Sequence, residues 1–294
     1  MGHSIPRKWH DAPTNKVAPL RKDNYNQGDR QMLRKLSYAA AGLAMLATMS
    51  AEKAIAADVL WYGQAVFKIT SPKGKVIMID PFISKNPNTP KALKDISKIG
   101  KIDMILVTHG HGDHVGDTVA LAKQSGAKVL INADMGRTFA SLGWLGYKQM
   151  IRFNKSGPVK PAEGITVTMV RAEHSSEVRS KDKDGKETMH PGGEPAGYTI
   201  YHAGDTGVFA DMKFIGEYYK PDLALLPIGG HFTMDPAHAA YAVKNLLKTK
   251  TVMPMHYGTF KPLKGTPAQF KAALGDFPTN VVVMQPGDSR KFGG

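Results

Sequence analysis

Three histidines and one aspartate lie within six residues of each other in the segment 107–117. They are His109, His111, Asp113 and His114, and their imidazole and carboxylate groups suit divalent zinc, iron, nickel or manganese. Because side chains of an extended chain alternate in direction, His109 and His111 point to the same side and can bind one ion together. Asp113 and His114 follow a turn and can address a second ion beside the first.

A buried strand is expected directly before this segment, because residues 102–107 form an apolar run. A loop at the carboxyl end of a strand is held by a rigid scaffold, which favours a functional site. Gly110, Gly112 and Gly116 would relieve backbone crowding around an ion. The alternative is a histidine-rich surface loop that binds metal weakly, and the preceding strand argues against it.

The segment resembles the His-x-His-x-Asp-His signature of the metallo-β-lactamase superfamily. Three later segments resemble the remaining ligand positions of that superfamily, and each follows a strand-like run. They are Ala-Glu-His-Ser at His174, Ala-Gly-Asp-Thr at Asp205 and Met-His-Tyr-Gly at His256. The resemblance covers about residues 58–294 and implies a metal-dependent enzyme of the same fold.

Two metal positions are implied by this resemblance. One would be formed by His109, His111 and His174. The other would be formed by Asp113, His114 and His256. Asp205 would bridge the two ions. Because His and Asp ligands accept several ions, two divalent ions are expected, zinc first, with manganese, iron or nickel as alternatives.

The amino-acid sequence of the second half more closely resembles one branch of the superfamily, in segments 201–206, 221–230 and 255–260. That branch contains uncharacterised metal-dependent hydrolases related to a bacterial ascorbate-phosphate lactonase and, more remotely, to a mammalian phospholipase D for N-acyl ethanolamine lipids. The resemblance names no substrate, because one fold hosts many kinds of hydrolysis.

Short apolar runs and helical patterns alternate through residues 57–294, which are expected to form one hydrolase domain. Two halves of this kind fit an α/β fold, a four-layer αββα sandwich with helices outside two central sheets, and the resemblance implies the same architecture. The opening runs predict an antiparallel sheet. Further strands are predicted at 128–131, 165–170, 197–202, 222–226, 250–254 and 281–284. Helices are predicted at 117–125, 133–142, 208–219, 235–247 and 267–274.

The expected reaction is hydrolysis of a small ester, lactone or phosphoester by a metal-bridging hydroxide. Two metals about 3.5–4 Å apart can lower the pKa of a shared water toward ~7. Asp113 is expected to hold a metal and also to orient the nucleophile or accept its proton. His231 is the additional catalytic candidate, as a hydrogen-bond donor to a tetrahedral intermediate or a substrate anion. The sequence has no G-x-S-x-G nucleophile elbow, so water is the expected nucleophile.

Other functions remain open at this stage. A phosphodiesterase or phospholipase acting on lipid-like substrates is the nearest alternative. A β-lactamase, an oxygen-handling di-iron protein and a non-catalytic metal-binding protein are further alternatives. The chain has no Cys, which removes the Cys ligand that some β-lactamases place on the second metal.

The first 56 residues differ in character from the rest. Residues 1–31 are polar and mixed, and they are interpreted as a disordered leader or a misassigned start. Residues 32–56 combine a basic start, an uncharged Ala-, Leu- and Met-rich run and an Ala-Ile-Ala site, which predicts a signal peptide. The enzyme is therefore expected in the periplasm or outside the cell, and otherwise in the cytoplasm. The uncharged run of sixteen residues is short for a membrane span, which needs about 20.

The formal net charge is +14, of which residues 1–57 contribute nine positive and four negative side chains, leaving +9 for the remainder. A basic surface steers anionic molecules, so the expected partner is a small anionic substrate. No nucleic-acid-binding module and no stable membrane span are expected, and the sequence indicates no oligomeric state.

Overall fold

The computed structural model describes residues 57–292. The predicted leader and signal peptide lie outside the described residues. Strands and helices alternate along the chain, beginning with three strands. The strands are β1 (Ala57–Gly63), β2 (Val66–Thr70), β3 (Val76–Ile79), β4 (Met104–Leu106), β5 (Lys128–Asn132), β6 (Met150–Phe153), β7 (Pro158–Ala162), β8 (Ile165–Arg171), β9 (Glu177–Lys181), β10 (Glu187–Pro191), β11 (Ala196–Tyr198), β12 (Tyr201–His202), β13 (Leu223–Pro227), β14 (Thr251–Met255), β15 (Asn280–Val281) and β16 (Ser289–Phe292).

Six helical segments accompany these strands, and two of them continue as π-helical turns. They are α1 (Gly112–Val115), α2 (Thr118–Ser125), α3 (Ala133–Ser141), α4 (Met212–Phe214, continuing over Ile215–Tyr219), α5 (Pro236–Tyr241, continuing over Ala242–Leu247) and α6 (Pro267–Leu274). Short 3₁₀ turns lie at Lys91–Leu93, Ile96–Lys98 and Tyr147–Gln149. Within residues 57–292, no helix is long and apolar enough to cross a membrane.

The strands form two seven-stranded sheets and a small hairpin. The first sheet has the order β16-β1-β2-β3-β4-β5-β6, and the second has the order β15-β14-β13-β12-β11-β8-β7. The opening strands β1, β2 and β3 are antiparallel, as predicted. From β3 to β6 the first sheet is parallel, and from β12 to β15 the second sheet is parallel.

Three apolar clusters separate four layers. One cluster lies between the sheets and joins side chains such as Phe67 and Leu106 of the first sheet to Met169 and Met253 of the second. A second cluster covers the outer face of the first sheet with α2 and α3. A third covers the outer face of the second sheet with α4, α5 and α6. The predicted αββα sandwich is therefore confirmed.

Local sequence explains where the main elements begin and end. Strands β4 and β13 are buried along their whole length, as expected for parallel strands covered on both faces. The Asn132 side chain accepts the first amide hydrogens of α3. Helix α6 starts at a capping box of Thr266 and Gln269 with a proline in its first turn, and it matches its predicted bounds of 267–274.

Two predicted strands are wrong in their extent: the strand predicted at 281–284 is β15, which spans only Asn280–Val281, and the strand predicted at 197–202 is divided in two. Residues 197–202 form two strands, β11 and β12, which pair antiparallel through Tyr198 and His202. The reversal at Thr199 and Ile200 lets β12 run parallel to β13, so the chain returns toward the edge at which β8 ends. An apolar stretch of six residues cannot reveal such a reversal, because both arms are buried.

Candidate metal centre

The predicted ligands follow strands that end at one edge of the sandwich. Strand β4 leads to His109, β8 to His174, β12 to Asp205 and β14 to His256. Strands β8, β12 and β14 run in the same direction within the second sheet, so their carboxyl ends meet at a common edge. The architecture therefore gathers side chains that are far apart in sequence.

The loop after β4 is held tightly against its neighbours. Helix α1 places Asp113 in its first turn and buries His114. Gly116, at φ +36°, follows it directly, and a Cβ there would stand 2.6 Å from the Pro81 carbonyl oxygen. A Cβ at Gly110 would stand 2.5 Å from the Glu177 carbonyl oxygen. Both glycines are thus required by close approach of neighbouring backbone, whereas a Cβ at Gly112 would meet nothing within 4 Å, so the predicted crowding at Gly112 is wrong.

Three imidazoles form the first group of potential ligands. His109 Nε2 lies 3.0 Å from His111 Nδ1, and His174 Nε2 lies 3.3 Å from the same His111 atom. One donor nitrogen of each residue lies close enough to the other two for a single metal ion to contact all three. The three nitrogens converge on one point. A proton can form a hydrogen bond between only two of them at a time, whereas a metal cation accepts the electron pairs of all three.

The second group contains Asp113, His114 and His256, whose donor atoms also lie within 4.8 Å of one another. Asp113 Oδ2 is 3.7 Å from His114 Nε2 and 3.7 Å from His256 Nε2. His114 and His256 are buried, whereas the Asp113 side chain is 26% exposed. Asp113 is therefore the member of this group that faces the open side of the cluster.

Asp205 lies between the two groups. Its Oδ2 is 3.0 Å from His256 Nε2 and 3.7 Å from His174 Nε2. Its Oδ1 is 3.3 Å from His114 Nε2, and His109 and His114 form a third possible ligand group with it. The structure thus brings all seven predicted ligands together, with the carboxylate of Asp205 in contact with members of both groups.

The polar atoms of the cluster fit divalent ions. His114 Nε2 and Asp205 Oδ1 are buried and have no hydrogen-bond partner among residues 57–292. Buried polar atoms are costly when they are unpaired, and these two atoms, 3.3 Å apart, are satisfied together by a proton on His114 or by a divalent cation. Imidazole nitrogens and carboxylate oxygens are the donors that zinc, manganese and iron accept.

Strong electrostatic coupling links the carboxylates to two of the histidines. Burial opposes charge on His256, but Asp205 and Asp113 outweigh it and raise the pKa of His256 to about 9. Burial likewise opposes charge on His114, and the carboxylates of Asp205, Asp80 and Asp113 raise its pKa well above the ordinary value. Against the effect of burial, His256 and His114 hold the pKa of Asp205 well below its ordinary range.

His109 and His174 of the first group behave in the opposite way. Burial lowers the pKa of His109 well below its ordinary value, and the neighbouring His114 adds to this effect. Burial also lowers the pKa of His174. Both rings therefore stay neutral near pH 7 and keep an electron pair free for a metal ion.

Carboxylates outside the two groups orient two of the histidines. The buried Asp80 lies 2.7 Å from His114 Nδ1 and accepts hydrogen bonds from the amide and hydroxyl of Thr108. Glu177 Oε2 lies 2.9 Å from His111 Nε2, and Arg179 donates to the other Glu177 oxygen at 3.1 Å. Such contacts fix the ring so that its other nitrogen faces the metal. The sequence did not predict this role for Glu177.

Gln64 is a buried polar residue in contact with the centre that the sequence did not indicate. Its Nε2 donates to Asp113 Oδ2 at 2.9 Å and lies 2.6 Å from His256 Nε2. Gln64 sits in the turn between β1 and β2, far from every ligand in sequence. The only sequence signal is Gly63 followed by a polar residue between two apolar runs, and that signal predicts a turn rather than a site.

His231 is not brought into contact with the cluster. It is exposed, has a left-handed backbone at φ +63°, and its ring packs edge-on against Phe232. It lines a separate open cavity of about 680 Å³ together with Asp235 and Lys264. Among the described residues, His231 makes no contact with the cluster that would support its predicted catalytic role, which stays a prediction.

Residues 75–257 match the β-lactamase superfamily domain. This chain belongs to the β-lactamase superfamily. Within the superfamily, it is 51% identical over 244 residues to a UPF0173 metal-dependent hydrolase of Polaromonas sp. This match covers 80% of this chain and 89% of the Polaromonas protein. The chain is 49% identical over 248 residues to a UPF0173 metal-dependent hydrolase of Cupriavidus necator, covering 80% and 86%.

A solved structure supports the same assignment. The chain is similar to Igni18, a metallo hydrolase of Ignicoccus hospitalis, with 36% identity, a TM-score of 0.69 and coverage of 81% of this chain and 98% of that one. The superfamily member described here is accordingly a metal-dependent hydrolase of the UPF0173 family.

Proposed function

We propose that this chain is a dinuclear hydrolase that cleaves a small ester, lactone or phosphoester with water activated between two divalent ions. The observation that carries the proposal is the position of Asp205, whose carboxylate contacts histidines of both ligand groups. Two ligand groups that share one carboxylate are suited to two adjacent ions.

Each ligand group would hold one ion. One ion would be held by His109, His111 and His174. The other would be held by Asp113, His114 and His256. Asp205 would join them, and zinc is the first candidate metal. When bound, such ions lower the pKa of a shared water toward ~7 and polarise the oxygen of the attacked group.

Asp113 is suited to orient the nucleophile and to accept its proton. Its side chain is 26% exposed, whereas Asp205 is 4% exposed and His114 is fully buried. Burial opposes ionisation of Asp113, but His114 and His256 outweigh it and lower its pKa well below the ordinary value. The carboxylate is therefore ionised at neutral pH and lies on the side from which water and substrate approach.

A phosphodiester with an acyl or aromatic group is the second candidate substrate. A cavity of about 490 Å³ lined by His174, Lys155 and Arg171 shares the last two residues with a cavity of about 410 Å³ lined by Phe214. Phe214 and Tyr218 are largely exposed and stack with their ring centres 5.0 Å apart. This aromatic surface favours a substrate with an apolar part, and the basic net charge favours an anionic one.

The test is turnover by the purified full chain on a panel of lactones, carboxylic esters, phosphodiesters and β-lactams. We expect hydrolysis of at least one class other than β-lactams, abolished by EDTA and restored by added Zn²⁺ or Mn²⁺. His111→Ala should lose this activity, whereas His238→Ala, which changes an exposed histidine of α5, should retain it. Activity that survives both EDTA and His111→Ala would contradict the proposal.

We also propose that the enzyme acts in the periplasm or outside the cell, on the basis of the signal-like pattern in residues 32–56. Export in a bacterial host would leave a mature chain that begins at Ala57. Mass spectrometry of the exported and cytoplasmic fractions checks this. A full-length chain confined to the cytoplasm would contradict it.

A further inference from the structure

The Gln64 amide is a buried polar group in contact with the metal centre but outside the seven predicted ligands. The side chain is fully buried, and its Oε1 has no hydrogen-bond partner among the described residues. Its Nε2 is within 3 Å of both Asp113 Oδ2 and His256 Nε2. Gln64 therefore reaches two members of the second ligand group at once.

The backbone holds this amide in place. Gln64 and His256 both adopt left-handed conformations, at φ +52° and +55°, which non-glycine residues rarely adopt. The His256 amide donates to the Gln64 carbonyl oxygen at 3.1 Å, and the Trp61 indole donates to the same oxygen at 3.1 Å. Next in the chain, the Ala65 carbonyl oxygen accepts from the buried His202. Strained conformations that are fixed from several sides are concentrated at functional sites.

A bound ion changes what the amide can do. When an ion or a proton takes the electron pair of His256 Nε2, that nitrogen cannot accept a hydrogen bond from the Gln64 amide. A half turn about the terminal torsion exchanges the amide nitrogen and oxygen. The oxygen then stands where three electron pairs converge, those of Gln64, Asp113 and His256, and only a cation satisfies all three.

The spacing of these atoms suits a shared ion. The three separations are 2.6, 2.9 and 3.7 Å. Nitrogen and oxygen ligands of one zinc, each about 2.0–2.2 Å from it, stand roughly 3–3.6 Å apart. The position of the amide thus agrees with that of a ligand to within a few tenths of an ångström.

We propose that Gln64 is a further ligand of the ion held by Asp113, His114 and His256, and that it binds through its amide oxygen. This proposal rests on the proposed dinuclear function. With Gln64 and Asp205, the second position has three oxygen and two imidazole donors, whereas the first has three imidazoles and one oxygen. Because carbonyl and carboxylate oxygens suit Mn²⁺, the second position binds Mn²⁺ better than the first does.

The test is Mn²⁺ binding by the full chain, measured from the free-ion electron paramagnetic resonance signal, for wild type, Gln64→Leu, Gln64→Glu and Gln124→Leu. Gln64→Leu keeps a similar size without a donor oxygen, and Gln64→Glu keeps an oxygen. Gln124 is an exposed glutamine of α2 whose side-chain amide donates to the Ile96 and Ser97 carbonyl oxygens and not to the centre, and it serves as the control. The melting temperature of each EDTA-treated variant is measured in parallel.

We expect two Mn²⁺ sites in wild type and in Gln124→Leu, with the oxygen-rich second position as the tighter site. Gln64→Leu should weaken that site by roughly tenfold or more, and Gln64→Glu should retain it. Unchanged Mn²⁺ binding in Gln64→Leu would overturn the ligand assignment and leave the dinuclear function standing. Equal loss in Gln64→Leu and Gln64→Glu, together with lower metal-free melting temperatures, would also overturn it in favour of a structural role. Absence of Mn²⁺ and Zn²⁺ binding in wild type would instead overturn the proposed function.

Discussion

At the scale of single residues, opposite pKa shifts divide the cluster into two kinds of ligand. His109 and His174 are kept neutral by burial, whereas His114 and His256 are made basic by carboxylates in contact with them. In the metal-free protein, the second group therefore carries protons that a metal ion has to displace. Metal binding at this position is expected to release protons and to strengthen as the pH rises.

This coupling predicts a pH-dependent stability of the metal-free protein. The pKa of His256 rises from 6.5 to about 9 on folding. Its contribution to stability is therefore fully present below about pH 6.5 and is lost as the pH rises through about 9, by at most ~3 kcal/mol. Calorimetry of EDTA-treated protein should show a melting temperature that falls over this range. His256→Gln should show a smaller fall, and an identical fall in both proteins would contradict this reading.

Most of the clustered His and Asp side chains were predictable at the residue scale, because their motifs are compact and each follows a strand-like run. Gln64 and Glu177 were not, for a physical reason. Their contacts with Asp113, His256 and His111 depend on how a turn and a hairpin pack, and a single Gln or Glu in a polar stretch carries no periodic signal.

At the scale of elements, the hairpin of β9 and β10 contributes side-chain contacts to the metal centre. Glu177 contacts His111 at the start of β9, and the Ser176 hydroxyl accepts from the Gly110 amide at 3.1 Å. At its other end, the Pro191 carbonyl oxygen accepts from Thr138 of α3. The hairpin is therefore joined to both the ligand loop and the first helical layer.

The hairpin prediction concerns Glu177→Ala. Loss of the carboxylate frees the His111 ring and should weaken binding of the first metal by roughly 10–100-fold. Glu187→Ala is the matched control, because Glu187 lies on the opposite strand and, within residues 57–292, forms its one ion pair with the exposed Lys181. Chelator competition measures the affinity. Equal affinity in the two variants would show that Glu177 does not orient the ligand.

The positions of β4, β5, β8, β13 and β14, the antiparallel opening of β1 to β3 and the bounds of α6 followed from sequence at this scale, whereas the pairing of other strands did not. The edge strand β16 pairs with the first strand β1, a partner that is distant in sequence, whereas β11 with β12 and β7 with β8 are neighbouring strands that contain a tight reversal or a shift of register. Register is set by such partners rather than by the local pattern.

At the scale of the whole molecule, the apolar layer between the sheets fixes the edge at which the ligands meet. Phe67, Leu106, Met169 and Met253 belong to this layer and are buried. The ligand-bearing loops leave the ends of the same strands, so the distance between the first and second sheets determines whether the two halves of the centre meet.

The layer gives a stability prediction. Met253→Ala removes a fully buried side chain and should lower the free energy of unfolding by about 2–5 kcal/mol. Met189→Ala is the control, since Met189 is 56% exposed, and it should change stability by less than about 0.5 kcal/mol. Urea unfolding of metal-free protein separates this effect from metal loss. Similar free energies of unfolding for both variants would contradict the role of the inter-sheet layer in stability.

The central claim is that Asp205 joins two metal positions, and the metal content of the full chain tests it most directly. Plasma mass spectrometry is applied to wild type, Asp205→Asn and Asp222→Asn after loading with Zn²⁺ or Mn²⁺ and removal of free ion. Asp222 is an exposed control whose one ion pair in the described part of the chain is with Lys250. We predict about two equivalents in wild type and in Asp222→Asn, and at most one in Asp205→Asn. One equivalent or none in wild type, or two retained in Asp205→Asn, would contradict the account.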